Sequence, residues 1–333
     1  MSEILVVGGA GYIGSHMCKY LSEKGLQPVV LDNLSLGHKE AVKWGELYVG
    51  GLGDQNVLND IFARHDIQAV MHFAAFCYVG ESVTAPLKYY QNNVAATLAL
   101  LSAMLDHNID KMIFSSSCAT YGEPESLPIS ESQAQQPINP YGRTKLMMEN
   151  ILDDLDSANG LQSVCLRYFN AAGADAAGQL GEDHEPETHL IPLVLSAALG
   201  RLQELTIFGK DYPTEDGTCV RDYIHVNDLA QAHYLALLHL LDGGKSKKYN
   251  LGNGDGYSIL DVIRTASKVS GREISYTYAN RRAGDPAVLV GSADKAIREL
   301  HWKPKFNSLE KILQTAWDWH LNNPDGYKKS NNT

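Results

Sequence analysis

The feature that most constrains the fold is a glycine-rich turn near the start of the chain. Gly8, Gly11 and Gly14 follow an apolar run at residues 4–7, and helical periodicity begins directly after them. The turn therefore lies between a predicted strand and a predicted helix. Glycine allows a tight turn there and lets backbone amides approach a pyrophosphate at the amino terminus of the helix. Such a turn is typical of a Rossmann-type sheet, although a glycine-rich turn in an unrelated α/β protein has the same local pattern.

Short apolar runs alternate with amphipathic stretches over the first half of the chain. The predicted strands are residues 4–7, 29–31, 47–49, 69–73, 112–115 and 163–167. The predicted helices are residues 16–24, 57–65, 89–107 and 142–156. This alternation predicts the α/β class, with a Rossmann-type, doubly wound parallel sheet wrapped by helices.

The pattern changes after Asn170. Residues 171–189 are rich in Ala, Gly, Asp and Glu and predict a loop, and shorter elements separated by Gly, Pro and Asp clusters follow. We expect a Rossmann domain over 1–170 and a smaller α+β lobe over 171–333, with a segment around 221–240 returning to the first domain. Such a lobe would lie against the carboxyl ends of the strands, where open parallel sheets bind ligands.

An acidic residue, Asp32, follows the second predicted strand, 21 residues after Gly11. A carboxylate at this point accepts hydrogen bonds from the ribose hydroxyls of a dinucleotide and repels a 2′-phosphate. The strand, the turn, the helix and Asp32 together predict a site for NAD rather than NADP.

Composition excludes several other classes of partner. The formal net charge is −11 and no basic run offsets it, so neither nucleic acid nor an anionic membrane surface is expected to bind. No stretch approaches the roughly 18 apolar residues that span a bilayer. The five cysteines are scattered without a C-x-x-C pair, which argues against a disulfide framework and against a zinc site. We expect reduced thiols, a cytoplasmic protein and no bound metal.

A candidate catalytic set lies near the carboxyl edge of the predicted sheet. Tyr141 and Lys145 are one helical turn apart on one face of a predicted helix, and serines at residues 115–117 end the fifth predicted strand. Taken singly, a tyrosine–lysine pair arises by chance, and a serine cluster more often caps a turn. Found together beside the expected cofactor, they indicate that Ser117, Tyr141 and Lys145 carry the chemistry.

These residue types suit general acid–base catalysis coupled to hydride transfer. A free tyrosine has a pKa near 10, so bringing it to about 7 requires roughly 4 kcal/mol of preference for the phenolate. The ammonium of Lys145 and a positively charged nicotinamide ring would supply that preference. Ser117 would orient a substrate hydroxyl and share its proton.

With these residues placed, the chain resembles the extended short-chain dehydrogenase/reductases and, among them, the UDP-glucose (UDP-galactose) 4-epimerase family. The resemblance covers nearly the full length. Its most specific segment is the 24-residue block IFGKDYPTEDGTCVRDYIHVNDLA at 207–230. The other segments are GGAGYIGSH (8–16), LDNLS (31–35), HFAA (72–75), VGESV (79–83), FSSSCATYG (114–122), YGRTK (141–145), LRYFNAAGA (166–174), YNLGNG (249–254) and RRAGDPA (281–287).

The resemblance implies a role for each matching position. Tyr141 corresponds to the base, Lys145 to the ligand of the nicotinamide ribose that lowers the pKa of the base, and Ser117 to the partner of the substrate hydroxyl. The implied NAD-binding residues are Gly8, Gly11, Tyr12, Ile13, Gly14, Asp32, Asn33, Leu34, Ser35, Gly37, Gly51, Leu52, Phe73, Ala74, Ala75, Asn92, Ser117, Tyr141, Lys145 and Phe169. The implied UDP-sugar-binding residues are Ser117, Tyr141, Asn170, His189, Leu190, Phe208, Arg221, Tyr223, Arg282, Asp285 and Leu289.

Among these implied contacts, Tyr12 would lie along the NAD pyrophosphate and Phe208 near the uracil ring. Arg221 and Arg282 would grip the UDP portion, which suits the paired hydrogen bonds that a pyrophosphate accepts. An ion pair between Arg221 and its neighbour Asp222 is the alternative.

The implied reaction is the reversible inversion of C4 in UDP-glucose and UDP-galactose. Tyr141 removes the 4-hydroxyl proton while the C4 hydride passes to NAD, and the 4-keto sugar then takes the hydride back on its other face. NAD would act as a bound prosthetic group. The family also implies a homodimer built on helices of the N-terminal domain.

Three positions depart from the family pattern. Cys77 replaces a lysine that some relatives place near the cofactor, and Gly51 replaces an aspartate directed at the adenine amino group. We therefore expect a weaker anchor for the adenine. Leu289, four residues after Asp285, stands where the width of the sugar pocket is thought to be set, so activity on UDP-GlcNAc and UDP-GalNAc stays open.

Other functions compete with this interpretation. A UDP-pentose 4-epimerase would differ only in the sugar. An NAD-dependent nucleotide-sugar dehydratase would need an acidic pair after Ser117, where this chain has Cys118 and Ala119. Asp32 disfavours an NADP reductase, and a non-catalytic NAD sensor would have no reason to retain the catalytic set.

Overall fold

The computed structural model describes residues 2–282 and 285–327. In chain order the strands are β1 (Glu3–Val7), β2 (Gln27–Asp32), β3 (Glu46–Val49), β4 (Ile67–His72), β5 (Lys111–Ser117), β6 (Gln162–Tyr168), β7 (Asn170–Ala172), β8 (Leu205–Phe208), β9 (Val220–Arg221), β10 (Tyr223–His225), β11 (Lys247–Leu251), β12 (Tyr257–Ser258), β13 (Tyr276–Ala279) and β14 (Val288–Leu289).

The helices alternate with the strands over the first half of the chain. Over both halves, the α-helices of the described residues are α1 (Tyr12–Glu23), α2 (Gln55–Arg64), α3 (Val79–Thr84), α4 (Pro86–Tyr90), α5 (Ala96–Asp106), α6 (Pro140–Asn159), α7 (Leu190–Ala198), α8 (Val226–Leu241), α9 (Ile259–Ser270), α10 (Asp294–Leu300) and α11 (Leu309–Asn322). A π-helical turn, Gln91–Ala95, joins α4 to α5, so the helix predicted at 89–107 is present in three pieces.

The main architectural element is a seven-stranded sheet in the order β11-β6-β5-β4-β1-β2-β3, in which every neighbouring pair is parallel. At its centre Val6 of β1 stands in register with Val30 of β2 and Met71 of β4. The predicted Rossmann-type α/β fold is confirmed.

Helices cover both faces of this sheet, which explains why its strands are continuous apolar runs rather than alternating ones. Ile4 and Val6 belong to a buried cluster on the α1 and α8 side. Leu5 and Val7 belong to a second cluster on the α2, α5 and α6 side. The alternation of side chains along β1 thus supplies both cores.

Helix α6 carries two residues of the predicted catalytic set, and its ends are well defined. The side chain of Asn139 accepts a 2.8 Å hydrogen bond from the backbone N–H of Gly142, and Pro140 occupies the first turn. Gly160 ends the helix in the left-handed conformation, with φ of 75°. These caps extend the helix beyond the predicted 142–156.

The second half of the chain contributes to the large sheet as well as to a smaller lobe. Helix α8 packs against α1 and against β5 and β6, and β11 pairs with β6 at the edge of the sheet. Strand β11 is not among the predicted strands, because two of its five residues are lysines. The chain therefore crosses between the halves more than once, and the domain bounds given above stay a prediction.

The smaller lobe is built on the packing of α7, α9 and α11. Its short sheets pair β13 with β8, β10 with β7, and β9 with both β12 and β14. A third apolar cluster, which includes Val194, Ile263 and Trp317, fills the space between these elements. Within the described ranges, no helix combines the length and the apolar character that crossing a bilayer demands.

Candidate active site

A cleft of about 1070 Å³ lies between the large sheet and the smaller lobe. It opens at the carboxyl ends of the strands: Gly8 follows β1, Asn33 follows β2, Phe73 follows β4 and Phe169 follows β6. All the residues predicted to bind NAD or a UDP-sugar line this cleft, except Leu34. The structure therefore brings the two predicted sets together, and their individual roles stay predictions.

The glycine turn leaves no room for side chains where the backbone must pack closely. Gly8 adopts φ of +81°, and a Cβ there would lie 2.6 Å from the backbone nitrogen of Ala74. A Cβ at Gly14 would collide with the carbonyl oxygen of Gly8. These contacts keep the amino terminus of α1 open toward the cleft, which is the cradle that a dinucleotide pyrophosphate requires.

The carboxylate of Asp32 holds two segments that border the cleft. Its Oδ2 accepts a 3.0 Å hydrogen bond from the N–H of Ala10, and its Oδ1 accepts a 2.8 Å bond from the N–H of Leu34. Leu34 thus contributes its backbone here. Each carboxylate oxygen keeps a further lone pair, so Asp32 can still accept from a ribose hydroxyl.

The catalytic set converges at the carboxyl end of β5. Lys145 Nζ donates a 2.7 Å hydrogen bond to the carbonyl oxygen of Ser115 and lies 5.9 Å from the centroid of the Tyr141 ring. The hydroxyl of Ser117 accepts a 3.1 Å bond from the N–H of Ala119 and also interacts with the Tyr141 hydroxyl. The three side chains face one region of the cleft.

The expected lowering of the Tyr141 pKa is not produced by the protein alone. Burial, together with Cys77 and Tyr168, raises the pKa of Tyr141 well above its ordinary value, and the hydrogen bond with Ser117 opposes this only in part. Burial also lowers the pKa of Lys145 to about 8, although Cys77 and Glu149 work in the opposite direction. Lowering the pKa of Tyr141 would therefore need a bound cation in addition to Lys145, and the positive nicotinamide ring of NAD would supply one.

A buried ion pair joins α6 to β6, and Ser116 of β5 is hydrogen-bonded to it. Glu149 of α6 accepts hydrogen bonds from Arg167 Nε at 2.9 Å and Nη2 at 2.5 Å, and from the hydroxyl of Ser116 at 2.5 Å. Burial would raise the pKa of Glu149, but Arg167 lowers it below its ordinary value. Because Ser116 precedes Ser117, this pair helps to set the separation of the catalytic serine from the helix that carries Tyr141.

The arginines predicted to grip the UDP portion already have partners in the cleft. Arg221 pairs with Asp285 through a short contact of its Nη2. The alternative pair with Asp222 is wrong, because the Asp222 carboxylate accepts bonds from backbone N–H groups that include Asn253 at 2.9 Å. The guanidinium of Arg282 lies over the Phe208 ring, 4.1 Å from its centroid.

The three residues that depart from the family pattern all line the cleft: Gly51, Cys77 and Leu289. A Cβ at Gly51 would meet nothing within 4 Å, so the missing aspartate side chain has free space in front of it. Burial would raise the pKa of the Cys77 thiol, but His189 lowers it below its ordinary value. Leu289 packs beside Phe169 at the edge of a small apolar cluster.

Sequence reasoning missed one group of residues in the cleft wall. Glu182, His184 and Glu187 lie with His189 in the segment before α7, which the composition predicted only as a loop. Burial would lower the pKa of His184, but the carboxylates of Glu182 and Glu187 raise it to about 10. The alternating spacing Glu-x-His-x-x-Glu-x-His was the signal that could have identified the group.

The Rossmann-type sheet, the glycine turn and a serine, tyrosine and lysine at the sheet edge define the class of extended short-chain dehydrogenase/reductases. The model of the NAD dependent epimerase/dehydratase family matches residues 4–252. The chain therefore belongs to this family.

Relatives within the family are similar over nearly the whole chain. The UDP-glucose 4-epimerase of Halalkalibacterium halodurans is 53% identical over 328 residues, which are 98% of each chain. The solved structure of the Brucella ovis UDP-glucose 4-epimerase in complex with NAD is 51% identical, with a TM-score of 0.93 over 96% of this chain and 98% of that one. That of the Bifidobacterium longum enzyme in complex with NAD⁺ and UDP is 40% identical, with a TM-score of 0.93 over 98% of this chain and all of that one.

Proposed function

We propose that this protein catalyses the reversible, NAD-dependent inversion of C4 in UDP-glucose and UDP-galactose through a 4-keto intermediate. The observation that carries the proposal is the placement of Ser117, Tyr141 and Lys145 in the same cleft as Arg221 and Arg282. The relatives named UDP-glucose 4-epimerases at about half identity support the same reaction. An NAD sensor or a plain reductase would not need both groups of residues.

Tyr141 is the proposed base for the 4-hydroxyl of the sugar. Bound NAD supplies the acceptor and later the donor of the C4 hydride. Ser117 sits beside the Tyr141 hydroxyl, so it can orient the sugar hydroxyl and share the proton in transit. Lys145, fixed by the carbonyl oxygen of Ser115, places a positive charge near the phenol where negative charge develops.

The UDP portion is proposed to bind at the smaller lobe. Arg221, Arg282 and Asp285 all line the cleft. Phe208 offers an apolar face to the uracil, and a guanidinium already lies on that ring. The cleft volume of about 1070 Å³ lies just above the range of about 300–1,000 Å³ for a single ligand site, which suits a cofactor and a substrate side by side.

We propose that the protein is a homodimer in the cytoplasm. Several apolar side chains on helices α3 to α6 are exposed, with Val83 at 61%, Leu87 at 66% and Leu98 at 45% of full exposure. A second copy of the chain that packs its own α3–α6 helices on this face would bury them. The five cysteines are free, which suits a reducing compartment. Light scattering coupled to size-exclusion chromatography measures the mass, and a monomer would contradict the dimer.

The decisive experiment is incubation of the purified protein with UDP-galactose and no added NAD, followed by separation of the products. We expect UDP-glucose from the wild type and none from Tyr141→Phe, with NAD retained by both. A 4-keto-6-deoxy product would contradict epimerisation and identify a dehydratase. The same assay with UDP-GlcNAc and a UDP-pentose defines the range of sugars that the protein accepts.

A further inference from the structure

The Glu/His cluster, which consists of Glu182, His184, Glu187 and His189, brings four metal-ligating side chains together. One ligand atom from each residue can be chosen so that all four lie within 4.8 Å of one another. All four residues belong to one segment of eight positions, and Glu182 is buried, with its side chain 5% exposed. The cluster forms part of the cleft wall and contains no member of the catalytic set, but His189 is also one of the predicted UDP-sugar-binding residues.

The nitrogen–oxygen separations within the cluster are short, and Glu187 turns a different oxygen toward each histidine. His189 Nδ1 lies 2.9 Å from Glu182 Oε1 and 3.2 Å from Glu187 Oε1. His184 Nδ1 lies 3.4 Å from Glu182 Oε1 and 3.5 Å from Glu187 Oε2. Tetrahedral ligands at the usual Zn–N and Zn–O bond lengths are about 3.3 Å apart, which falls among the four observed values.

The carboxylates already partner the imidazoles when no ion is bound. The Nδ1 atoms of His184 and His189 are buried and make no aligned hydrogen bond within the described part of the chain. Their contacts are ion pairs with Glu182 and Glu187 instead. A divalent ion would take the place of the imidazole protons, because metal ligands must be deprotonated.

One of the carboxylates is held in place by the backbone. Glu187 Oε1 accepts hydrogen bonds from the N–H groups of Thr188 and His189, each at 2.8 Å. These bonds fix the carboxylate and leave Oε2 facing His184. In metal sites, hydrogen bonds to a ligating side chain typically hold that side chain in the orientation that metal binding requires.

We propose that Glu182, His184, Glu187 and His189 bind one divalent transition-metal ion of the Zn²⁺ type. Two imidazole nitrogens with two carboxylates suit Zn²⁺ and its neighbours, whereas Mg²⁺ prefers an all-oxygen set. Two carboxylates also balance the charge of a divalent ion. The ion would tie the segment 182–189 into one rigid wall beside Tyr12, whose ring lies 6.4 Å from that of His184. This proposal does not depend on the sugar that the enzyme uses.

The test uses the full-length protein without an affinity tag, stripped with a chelator and then titrated with Zn²⁺ alone. Metal content per chain is measured after gel filtration, and affinity is measured by competition with a chromogenic chelator. The variants are Glu182→Gln and His184→Gln, which each remove one ligand. The matched control is Asp183→Asn, because Asp183 lies between them but directs its carboxylate to His38, 3.3 Å away, and to the N–H of Tyr327, 3.0 Å away.

We expect one tightly bound Zn²⁺ per chain in the wild type and in Asp183→Asn. Loss of one ligand should weaken binding by at least about tenfold in Glu182→Gln and His184→Gln. Far-UV circular dichroism checks that each variant is folded. Absence of a tight Zn²⁺ site in the wild type would by itself overturn the proposal. Equal Zn²⁺ affinity in the wild type and all three variants would overturn it as well. Equal loss in Asp183→Asn would overturn it too, because that variant keeps every proposed ligand.

Discussion

The ammonium of Lys145 lies 5.9 Å from the centroid of the Tyr141 ring, while its hydrogen bond goes to the carbonyl oxygen of Ser115. In the proposed mechanism the lysine therefore acts on the phenol through charge rather than through a direct bond. Burial makes that charge expensive, and it lowers the pKa of Lys145 to about 8. About half of the Lys145 side chains are therefore charged at pH 8, and the positive charge is fully present only well below that pH.

This relationship predicts how the rate of epimerisation depends on pH. Lys145 is protonated below its pKa of about 8 and loses its charge as the pH rises through that value. Since the charge supports the phenolate of Tyr141, we expect kcat to fall on the alkaline side of about pH 8. Initial rates with UDP-galactose between roughly pH 6 and pH 10 measure the profile. A kcat that stays constant to the alkaline end would contradict this role of Lys145.

Asp32 should affect both stability and cofactor choice. Asp32→Ala leaves the buried N–H of Ala10 and that of Leu34 without their acceptor, so we expect a loss of about 1–3 kcal/mol in the free energy of unfolding. It also removes the negative charge that repels a 2′-phosphate. Urea unfolding measures the first effect, and mass spectrometry of the dinucleotide released from the protein measures the second.

Asn33→Ala is the matched control for that prediction. The side chain of Asn33 accepts one exposed 3.0 Å bond from the N–H of Ser35, so its removal should change stability by no more than about 0.5 kcal/mol. If Asp32→Ala and Asn33→Ala unfold at the same urea concentration, the structural part of the Asp32 role is wrong.

Gly51→Asp is expected to hold NAD more firmly than the wild type. The new side chain enters free space in the cleft, where its carboxylate can accept a hydrogen bond from the adenine amino group. Gly53→Asp is the control, because that position also has free space but does not line the cleft. NAD content after extended dialysis is the measurement. Equal retention by wild type and Gly51→Asp would show that the missing aspartate does not limit binding.

The buried pair of Glu149 and Arg167 predicts a large loss of stability when one partner is removed. Glu149→Gln leaves the guanidinium without its charge partner, which typically costs about 3–5 kcal/mol. The double variant Glu149→Leu with Arg167→Met should recover much of this loss, because neither charge then remains buried. Thermal and urea unfolding give the three stabilities. A double variant no more stable than Glu149→Gln would argue that packing, not charge, holds this region.

The same pair contributes to stability in a defined pH range. Arg167 lowers the pKa of Glu149 in the folded state, so the unfolded state takes up a proton first on acidification. The contribution is present above the ordinary pKa of 4.5 and is lost as the pH falls through the lower value of the folded state. The wild type should therefore lose stability faster than the double variant in that acidic range.

Much of this site could be predicted from the sequence, because the features concerned are local. The glycine turn, the pair Tyr141 and Lys145, and the serines that end β5 each depend on a few adjacent residues whose spacing is visible. The strands of the first half were predicted to within a few residues, since burial on both faces gives continuous apolar runs. These signals needed no knowledge of distant contacts.

The features of the site that could not be predicted from the sequence depend on contacts between distant parts of the chain. Arg221 lies next to Asp222 in sequence but pairs with Asp285, because Asp222 is needed by backbone N–H groups of another loop. The pKa of Tyr141 was expected to fall, but the amount of burial is set by the whole cleft. Spacing alone cannot reveal either fact.

The position of β11 at the edge of the large sheet has a consequence for synthesis of the protein. Strand β6 ends at Tyr168, yet its outer neighbour spans Lys247–Leu251, and the helix that covers α1 comes just before that neighbour. While the ribosome makes the residues between them, the nascent chain exposes an unpaired strand edge and an uncovered apolar face. Such surfaces favour association with other chains, so we expect a nascent chain that stalls in this interval to depend on a chaperone.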